Sequence, residues 1–281
     1  MFNKQESFIN DKSTLFLVAT PIGNLDELTP RAIQTLKEVS IIACEDTRNT
    51  IKLLSHLDIK TKLIAYHNFN EEASSEGIIK LMEQGNNIAL VSDAGYPLVQ
   101  DPGISIVNKC IDKGYNVVPI SGANASINAL VSSGLKVEPH LFYGFLKSNN
   151  NQLEKELESL KELPYTIIFY ESVHRINKTL ESLLKVLGDR KMCLCRELTK
   201  KYETFYRGTI SEVINNFNDN KGEFVIIVEG YQQIDDENDR IEKAINEINE
   251  DIKQGISKSD AIKSACKKYN IKKNSVYNLV H

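Results

Sequence analysis

"NNIALVSDAGYPLVQDPG" occupies residues 86–103. Its first part is a short apolar run, which reads as a buried strand. Residues 91–103 hold two aspartates, two prolines and two glycines, with no lysine or arginine. In an open α/β sheet, ligands bind beyond the carboxyl ends of the strands. A rigid acidic loop at such an end therefore reads as part of a ligand pocket.

Working outward, the same grammar recurs. "TLFLVAT" is an apolar run closed by "PIGN", and "TPRAIQTLKEV" follows with Thr29 as N-cap and Pro30 at the first helical position. "SIIACEDT", "KLIAYHN" and "YNVVPISG" are further strand candidates. Helical patterns over 47–57, 71–84, 104–113 and 123–133 lie between them. Strands alternating with helices predict an α/β domain with a mostly parallel sheet over residues 14–135. Residues 136–231 read as a second α/β domain with a mixed sheet, with helices over 151–162, 173–187 and 210–217. Residues 1–13 read as a loose tail.

Residues 231–250 carry seven acids and two bases, and residues 251–281 carry seven lysines and two aspartates. Residues 232–281 thus read as an acidic linker feeding a basic helical end, in which Ser257 and Asp260 have capping-box spacing. Such an end suits either a nucleic-acid-binding unit or a plain solvated helical hairpin. The whole chain has 281 residues, 41% hydrophobic and 26% charged, with a net charge of −4. That composition is globular. Its five cysteines have neither disulfide-framework nor metal spacing, which predicts reduced, buried thiols in a cytoplasmic protein. No apolar run reaches the ~18 residues that a membrane span needs, and the N-terminus has no signal-peptide core.

Four loops converge at strand ends: 20–24 "TPIGN", 44–49 "CEDTRN", 92–103 and 121–126 "SGANAS". No dinucleotide fingerprint, P-loop, zincin helix or nucleophile elbow is present. Apart from Arg48 these loops lack cations, which argues against a polyphosphate. An acidic, glycine- and proline-shaped pocket suits a positively charged ligand approached by backbone, and S-adenosylmethionine answers that description. For chemistry on a hydroxyl the strand ends offer Glu45 and Asp46, Glu171 and His174, and Glu197 with Lys200 as general-base candidates. Adjacent Glu45 and Asp46 point to opposite sides, so one of them faces the cleft. Asp101 stands where it would cap the helix that begins near Gly103.

"LVATPIGNLDELTPRA", "EDTR", "VSDAGYPLVQDPG", "FYGFLKS", "YESVHR" and "RELTKKYETFYRGT" occur in the order and spacing of one family. The chain resembles the ribosomal small subunit methyltransferase I family over residues 14–230, and its basic end resembles the family's helical extension. The resemblance implies a two-domain tetrapyrrole-methylase-like architecture with a cofactor cleft between the domains. It also implies 2′-O-methylation of a cytidine ribose in 16S rRNA, with S-adenosylmethionine as donor, the assembled small subunit as substrate, and a homodimer. The cofactor residues it points to are Pro21, Gly23, Ser92, Asp93, Ala94, Gly95, Ser121, Gly122, Ala123 and Phe145, with Tyr143 nearby in the crossover. The RNA side would draw on Arg48, Arg175, Arg196 and Lys200, with His67 lining the pocket. The chain departs from the family pattern at Tyr96 (threonine), Val173 (proline), Lys147 (proline) and in "SGANAS". Two other classes stay open: a methylase of the same fold acting on a tetrapyrrole or other small molecule, and a non-enzymatic nucleic-acid-binding regulator.

Overall fold

The computed structural model describes residues 4–66, 71–219, 221–232 and 237–277. They divide into two compact units, Met1–Tyr231 and Gln232–His281.

The first sheet comprises β1 (Thr14–Val18), β2 (Ile41–Cys44), β3 (Lys62–Ala65), β4 (Ile88–Val91) and β5 (Asn116–Ile120), in the order β3-β2-β4-β1-β5. Every pairing in it is parallel. All four residues of β4 are buried because both faces are covered. On one face Ala89 and Val91 meet α1 (Pro30–Glu38) and α2 (Thr47–His56) through Ala32, Leu36 and Leu54. On the other, Ile88 and Leu90 meet α3 (Glu71–Glu83) and α4 (Ile104–Asp112) through Ile78, Met82 and Ile106.

The chain then passes through α5 (Ala125–Ser132) into the second sheet. This comprises β6 (His140–Phe145), β7 (Thr166–Ser172), β8 (Lys191–Arg196), β9 (Thr204–Thr209) and β10 (Glu223–Val228), in the order β6-β7-β10-β8-β9. Only β6–β7 is parallel, so the sheet is mixed, as the short strand–helix–strand spacing near its end predicts. Helices α6 (Asn150–Leu160), α7 (Ile176–Leu187) and α8 (Ile210–Asn216) cover one face through Leu157, Leu183 and Val213. The other face receives Ala129 and Leu130 of α5, packed on Ile168, Cys193 and Val225. Helix α5 thereby ties the two sheets together, and the carboxyl ends of β1, β4 and β5 open against the second sheet.

Three readings change. The segment "LFYGFL" is an edge strand, β6, with a bulge between Phe142 and Gly144, rather than a free crossover. Helix α7 begins at Ile176, and β7 runs on through Ser172. His174 therefore sits in a turn and Arg175 at the N-cap, not in a first helical turn. Asp101 does not cap α4. Gly103 is the N-cap without a side-chain bond, and Glu71 Oε1 accepts the N–H groups of Gly103 (3.1 Å) and Ser105 (3.0 Å).

The second unit holds α9 (Glu237–Lys253), α10 (Lys258–Lys268) and α11 (Lys273–Tyr277) around Ala244, Ile248, Ala261, Ile262, Ala265 and Val276. Ser257 caps α10 by accepting from Asp260 N–H, as its spacing predicts. Lys263, Lys267, Lys272 and Lys273 are exposed. Among the described residues no helix is long and apolar enough to cross a membrane.

Candidate active site

The loops after β1 and β4 are laced together. Thr20 N–H donates to Gly95 O at 2.9 Å, and Gly95 N–H donates back to Thr20 O at 3.0 Å. Gly95 holds φ at +77°, which glycine adopts without strain. Thr20 Oγ1 donates to Ser92 O (3.1 Å), and Ser92 Oγ donates to Gly95 O (3.1 Å). The loop after β5 joins them: Gly122 N–H donates to Tyr96 Oη at 3.1 Å. A Cβ at Gly122 would lie 2.8 Å from Ala19 Cβ, so the close approach requires glycine. Further along, Leu98 and Gln100 take left-handed φ values of 72° and 70°. Such conformations at non-glycine residues cost about 1–3 kcal/mol and concentrate at functional sites. They set the Gln100 side chain against Gly144 of β6, which has no Cβ to obstruct it.

These loops form one wall of a cavity of about 370 Å³. Asp93, Ala94, Gly95, Tyr96, Gln100 and Asp101 line it from the first sheet, with Ile22, Asn124 and Ala125. Phe145, Tyr170, Glu171, Ser172, Leu198, Glu223 and Phe224 line it from the second. Phe145 and Tyr170 meet edge to face with ring centroids 5.7 Å apart, and the Tyr170 hydroxyl accepts Ser126 N–H at 3.1 Å. No lysine or arginine is among the lining residues.

The carboxylates around it differ sharply. Asp93 accepts from Asn49 Nδ2 at 2.8 Å. Burial, then the charge of Glu45, pushes the Asp101 carboxyl up to about 6; Asp93 adds to the rise, and a hydrogen bond from Ser92 opposes it. Glu45 stands close enough for its charge to act on Asp101. Asp46 turns the other way: it caps α2 by accepting from Arg48 N–H (2.8 Å) and forms an ion pair with the Arg48 guanidinium (2.8 Å). Glu171 has a side chain only 1% exposed, held by Thr179 Oγ1 (2.6 Å), Ser172 N–H (2.7 Å) and Arg175 (3.2 Å). Glu197 lies off the cavity wall, bonded to Lys200 (3.0 Å) and Glu223 N–H (3.0 Å). Lys200, with the Glu223 charge beside it, also bonds Glu223 (2.9 Å).

Of the cofactor residues drawn from the sequence, Asp93, Ala94, Gly95 and Phe145 line the cavity. Ser92, Gly122 and Ala123 stand behind that wall and shape it. Ser121 accepts from Thr29 Oγ1 at 3.2 Å, and Gly23 backs onto Thr199 and Lys200, so both belong to the surrounding loops, as does Pro21. Tyr143 packs at a tilt against Phe169 in the second core and does not line the cavity. Of the cations, Arg48 has a side chain 84% exposed. Arg196 bonds Lys221 O and pairs with Asp219, and Arg175 bonds the Leu146 and Lys147 carbonyls. His67 lies outside the described residues. Sequence reasoning missed Tyr96, Gln100, Asn124, Tyr170 and Phe224. Tyr96, Gln100 and Asn124 stand in loops past the ends of β4 and β5, and Tyr170 and Phe224 just inside strand ends; polar and aromatic residues are too frequent at such places to single these out.

Comparison with known proteins supplies the family. The Tetrapyrrole (Corrin/Porphyrin) Methylases match residues 14–214. Ribosomal RNA small subunit methyltransferase I of Bacillus subtilis is 47% identical, covering 100% of this chain and 99% of its own. The protein of that name from Halalkalibacterium halodurans is 45% identical over 97% of this chain and 96% of its own. The chain belongs to the ribosomal RNA small subunit methyltransferase I family. Members of this methyltransferase family share a fold with more distant enzymes. Uroporphyrin-III-C-methyltransferase from Thermus thermophilus superposes with a TM-score of 0.56 at 16% identity, covering 78% of this chain and 94% of its own. A diphthine synthase superposes with a TM-score of 0.60 at 13% identity, over 78% and 90%.

The cavity suits the methyl donor of a small subunit methyltransferase I, S-adenosylmethionine. Its volume is within the roughly 300–1,000 Å³ of ligand sites. Asp93 and Asp101 offer negative charge to a sulfonium and an ammonium, Tyr96, Phe145 and Tyr170 offer aromatic faces, and the wall has no cation to hold a phosphate.

Proposed function

We propose that the chain transfers a methyl group from S-adenosylmethionine to the ribose 2′-oxygen of a cytidine in the 16S rRNA of the small ribosomal subunit. The observation that carries this reading is the acidic, cation-free, aromatic cavity at the ends of β1 and β4, in a chain 47% identical end to end to a protein named for ribosomal RNA small subunit methylation. The donor supplies an electrophilic methyl carbon. The protein's part is to bind it, exclude water, orient the acceptor hydroxyl and take its proton. Alignment of reacting groups supplies up to roughly 7–11 kcal/mol in the best intramolecular models, and general-base help adds roughly 10²–10⁴-fold.

In this reading Asp93, Ala94, Gly95 and Phe145 touch the donor, while Ser92, Gly122 and Ala123 hold the wall that touches it. Arg48 faces solvent beside the cavity loops and contacts an RNA phosphate. The lysines of α10 and of the segment into α11 give the second unit a basic surface for rRNA. A tetrapyrrole methylase has no need of such a unit, and the uroporphyrin-III-C-methyltransferase structures that share the fold align with 77–78% of this chain. We further infer a homodimer that works in the cytoplasm, where small subunits assemble. The test is transfer of radiolabelled methyl from S-adenosylmethionine to small subunits lacking the modification, with free 16S rRNA and a tetrapyrrole as parallel acceptors. Label on the subunit supports the reading. Cofactor binding with label only on the tetrapyrrole, or on none of the three, sinks it.

A further inference from the structure

The turn between β8 and β9, residues 197–203, forms part of the cavity rim. Leu198 lines the cavity, while Lys201, Tyr202 and Glu203 are exposed. The turn is tightly held. Lys200 N–H donates to Glu197 O and Glu203 N–H to Lys200 O, each at 3.0 Å. Glu203 Oε2 accepts Thr199 N–H at 2.7 Å, and Lys200 Nζ is clamped between Glu197 (3.0 Å) and Glu223 (2.9 Å). Glu197 and Thr199 hold left-handed φ values of 52° and 67°, an outlying conformation for a β-branched residue such as Thr199. The loop after β1 is pressed against the same turn, since a Cβ at Gly23 would collide with Lys200 Cγ.

Three aromatic residues follow in "YETFY", and two of them have partners in the protein. Phe205 packs against the core around Leu198 and lies under the Arg207 guanidinium, 4.6 Å from its ring centroid. Tyr206 meets Phe217 edge to face at 5.6 Å, and its hydroxyl bonds Asp219. Tyr202 differs. It is 65% exposed, the most exposed tyrosine among the described residues, and Lys201 Nζ stands 5.6 Å from its ring centroid. A rigid turn thus holds an aromatic face and a cation out in solvent beside the cavity.

We infer that Tyr202 is a stacking platform for an unpaired base of the rRNA segment that carries the acceptor cytidine, with Lys201 against a neighbouring phosphate. The inference rests on the methyl-transfer reading above and names how that site grips its substrate. The cavity wall is acidic and has no lysine or arginine, so RNA must be held at the rim rather than inside. Lys200 is engaged by two carboxylates, which leaves Tyr202 and Lys201 as the groups that the turn presents. A nucleotide drawn toward a donor in a cavity loses its stacking neighbours. Single-stranded RNA is held by aromatic side chains that stack on splayed bases, with cations tracking the backbone.

The experiment compares the full-length wild type with Tyr202→Ala, Tyr202→Phe and Lys201→Ala. Methyl transfer to small subunits lacking the modification gives KM and kcat, small-subunit binding is followed against salt, and calorimetry gives the Kd for S-adenosylmethionine. Loss of one base stack should raise KM for the small subunit roughly 5–100-fold in Tyr202→Ala, with the Kd for S-adenosylmethionine and Tm unchanged. Tyr202→Phe keeps the ring and should stay within about twofold of wild type. Stacking carries no net charge, so Tyr202→Ala should keep the wild-type salt slope, whereas Lys201→Ala should flatten it by roughly 0.7–1. Tyr202→p-benzoylphenylalanine should photo-cross-link to 16S rRNA. Tyr202→Ala with the wild-type KM overturns the inference while leaving the methylase reading intact. So does Tyr202→Phe as impaired as the alanine variant, Tyr202→Ala that weakens S-adenosylmethionine binding, or a cross-link only to ribosomal proteins or to a second copy of the chain. A wild type that labels no RNA overturns the methylase reading and this inference together.

Discussion

Glu71→Ala removes one side chain and detaches two elements. Glu71 Oε1 accepts Gly103 N–H (3.1 Å), Ser105 N–H (3.0 Å) and the Tyr66 hydroxyl (3.2 Å). The Tyr66 hydroxyl keeps Ser75 Oγ at 3.0 Å, so it is not orphaned. The two backbone donors have no such reserve. Hydrogen bonds to a charged acceptor are worth about 1.5–3 kcal/mol each, and loss of a cap costs about 0.5–2 kcal/mol. Gly103 is buried and Ser105 half-buried, so water replaces part of one bond and little of the other. The expected cost is about 2–3 kcal/mol, which for a unit of this size lowers Tm by roughly 4–10 °C. Glu71→Gln keeps an acceptor oxygen and should lose less than half as much. Calorimetry of both variants, following the transition of the 231-residue unit, checks the ordering. Because α4 starts three residues beyond Asp101, Glu71→Ala should also weaken S-adenosylmethionine binding. An alanine variant within 1 °C of wild type, or a glutamine variant as damaged as the alanine one, refutes the reasoning.

Three further outcomes are expected. Tyr96→Phe leaves Gly122 N–H without its acceptor on the cavity wall; the cost of about 1–2 kcal/mol should appear as a roughly 5–30-fold weaker Kd for S-adenosylmethionine by calorimetry. Thr179→Val removes the hydroxyl that donates to buried Glu171 (2.6 Å), and urea titration should show about 1–3 kcal/mol less stability. Changing Lys263, Lys267, Lys272 and Lys273 to alanine together should raise KM for the small subunit and flatten the salt dependence of RNA binding, with the Kd for S-adenosylmethionine unchanged.

The alternation of short apolar runs and amphipathic helices made the sheets legible, because burial of β4 on both faces leaves no polar residue in "IALV". The wall built by residues 92–95 was legible for a related reason: only small residues can occupy a strand end where two backbones exchange hydrogen bonds, as Thr20 and Gly95 do. What escaped depends on which side chains meet, some of them far along the chain. Asp101 has the local pattern of a cap, and nothing within its own segment reveals that Glu71, thirty residues earlier, fills that place. Glu171 at a strand end has the local pattern of a general base, yet Arg175 and Thr179 fold back over it from the start of α7. Arg196 and Lys200 have the pattern of phosphate contacts, but Asp219 and Glu223 reach them from elsewhere in the chain, and Glu197 of the same turn pairs with Lys200. Strand and helix periodicity is local information. The pairing of charges is tertiary, and it decides which of several similar carboxylates is left facing the cavity.

The central claim is the atom that receives the methyl group. Nucleoside mass spectrometry of 16S rRNA from small subunits treated with the enzyme and methyl-labelled S-adenosylmethionine reads it directly. The account predicts labelled 2′-O-methylcytidine, formed at one site per subunit. Label on a cytosine base, on another nucleoside or on no nucleoside at all would contradict it.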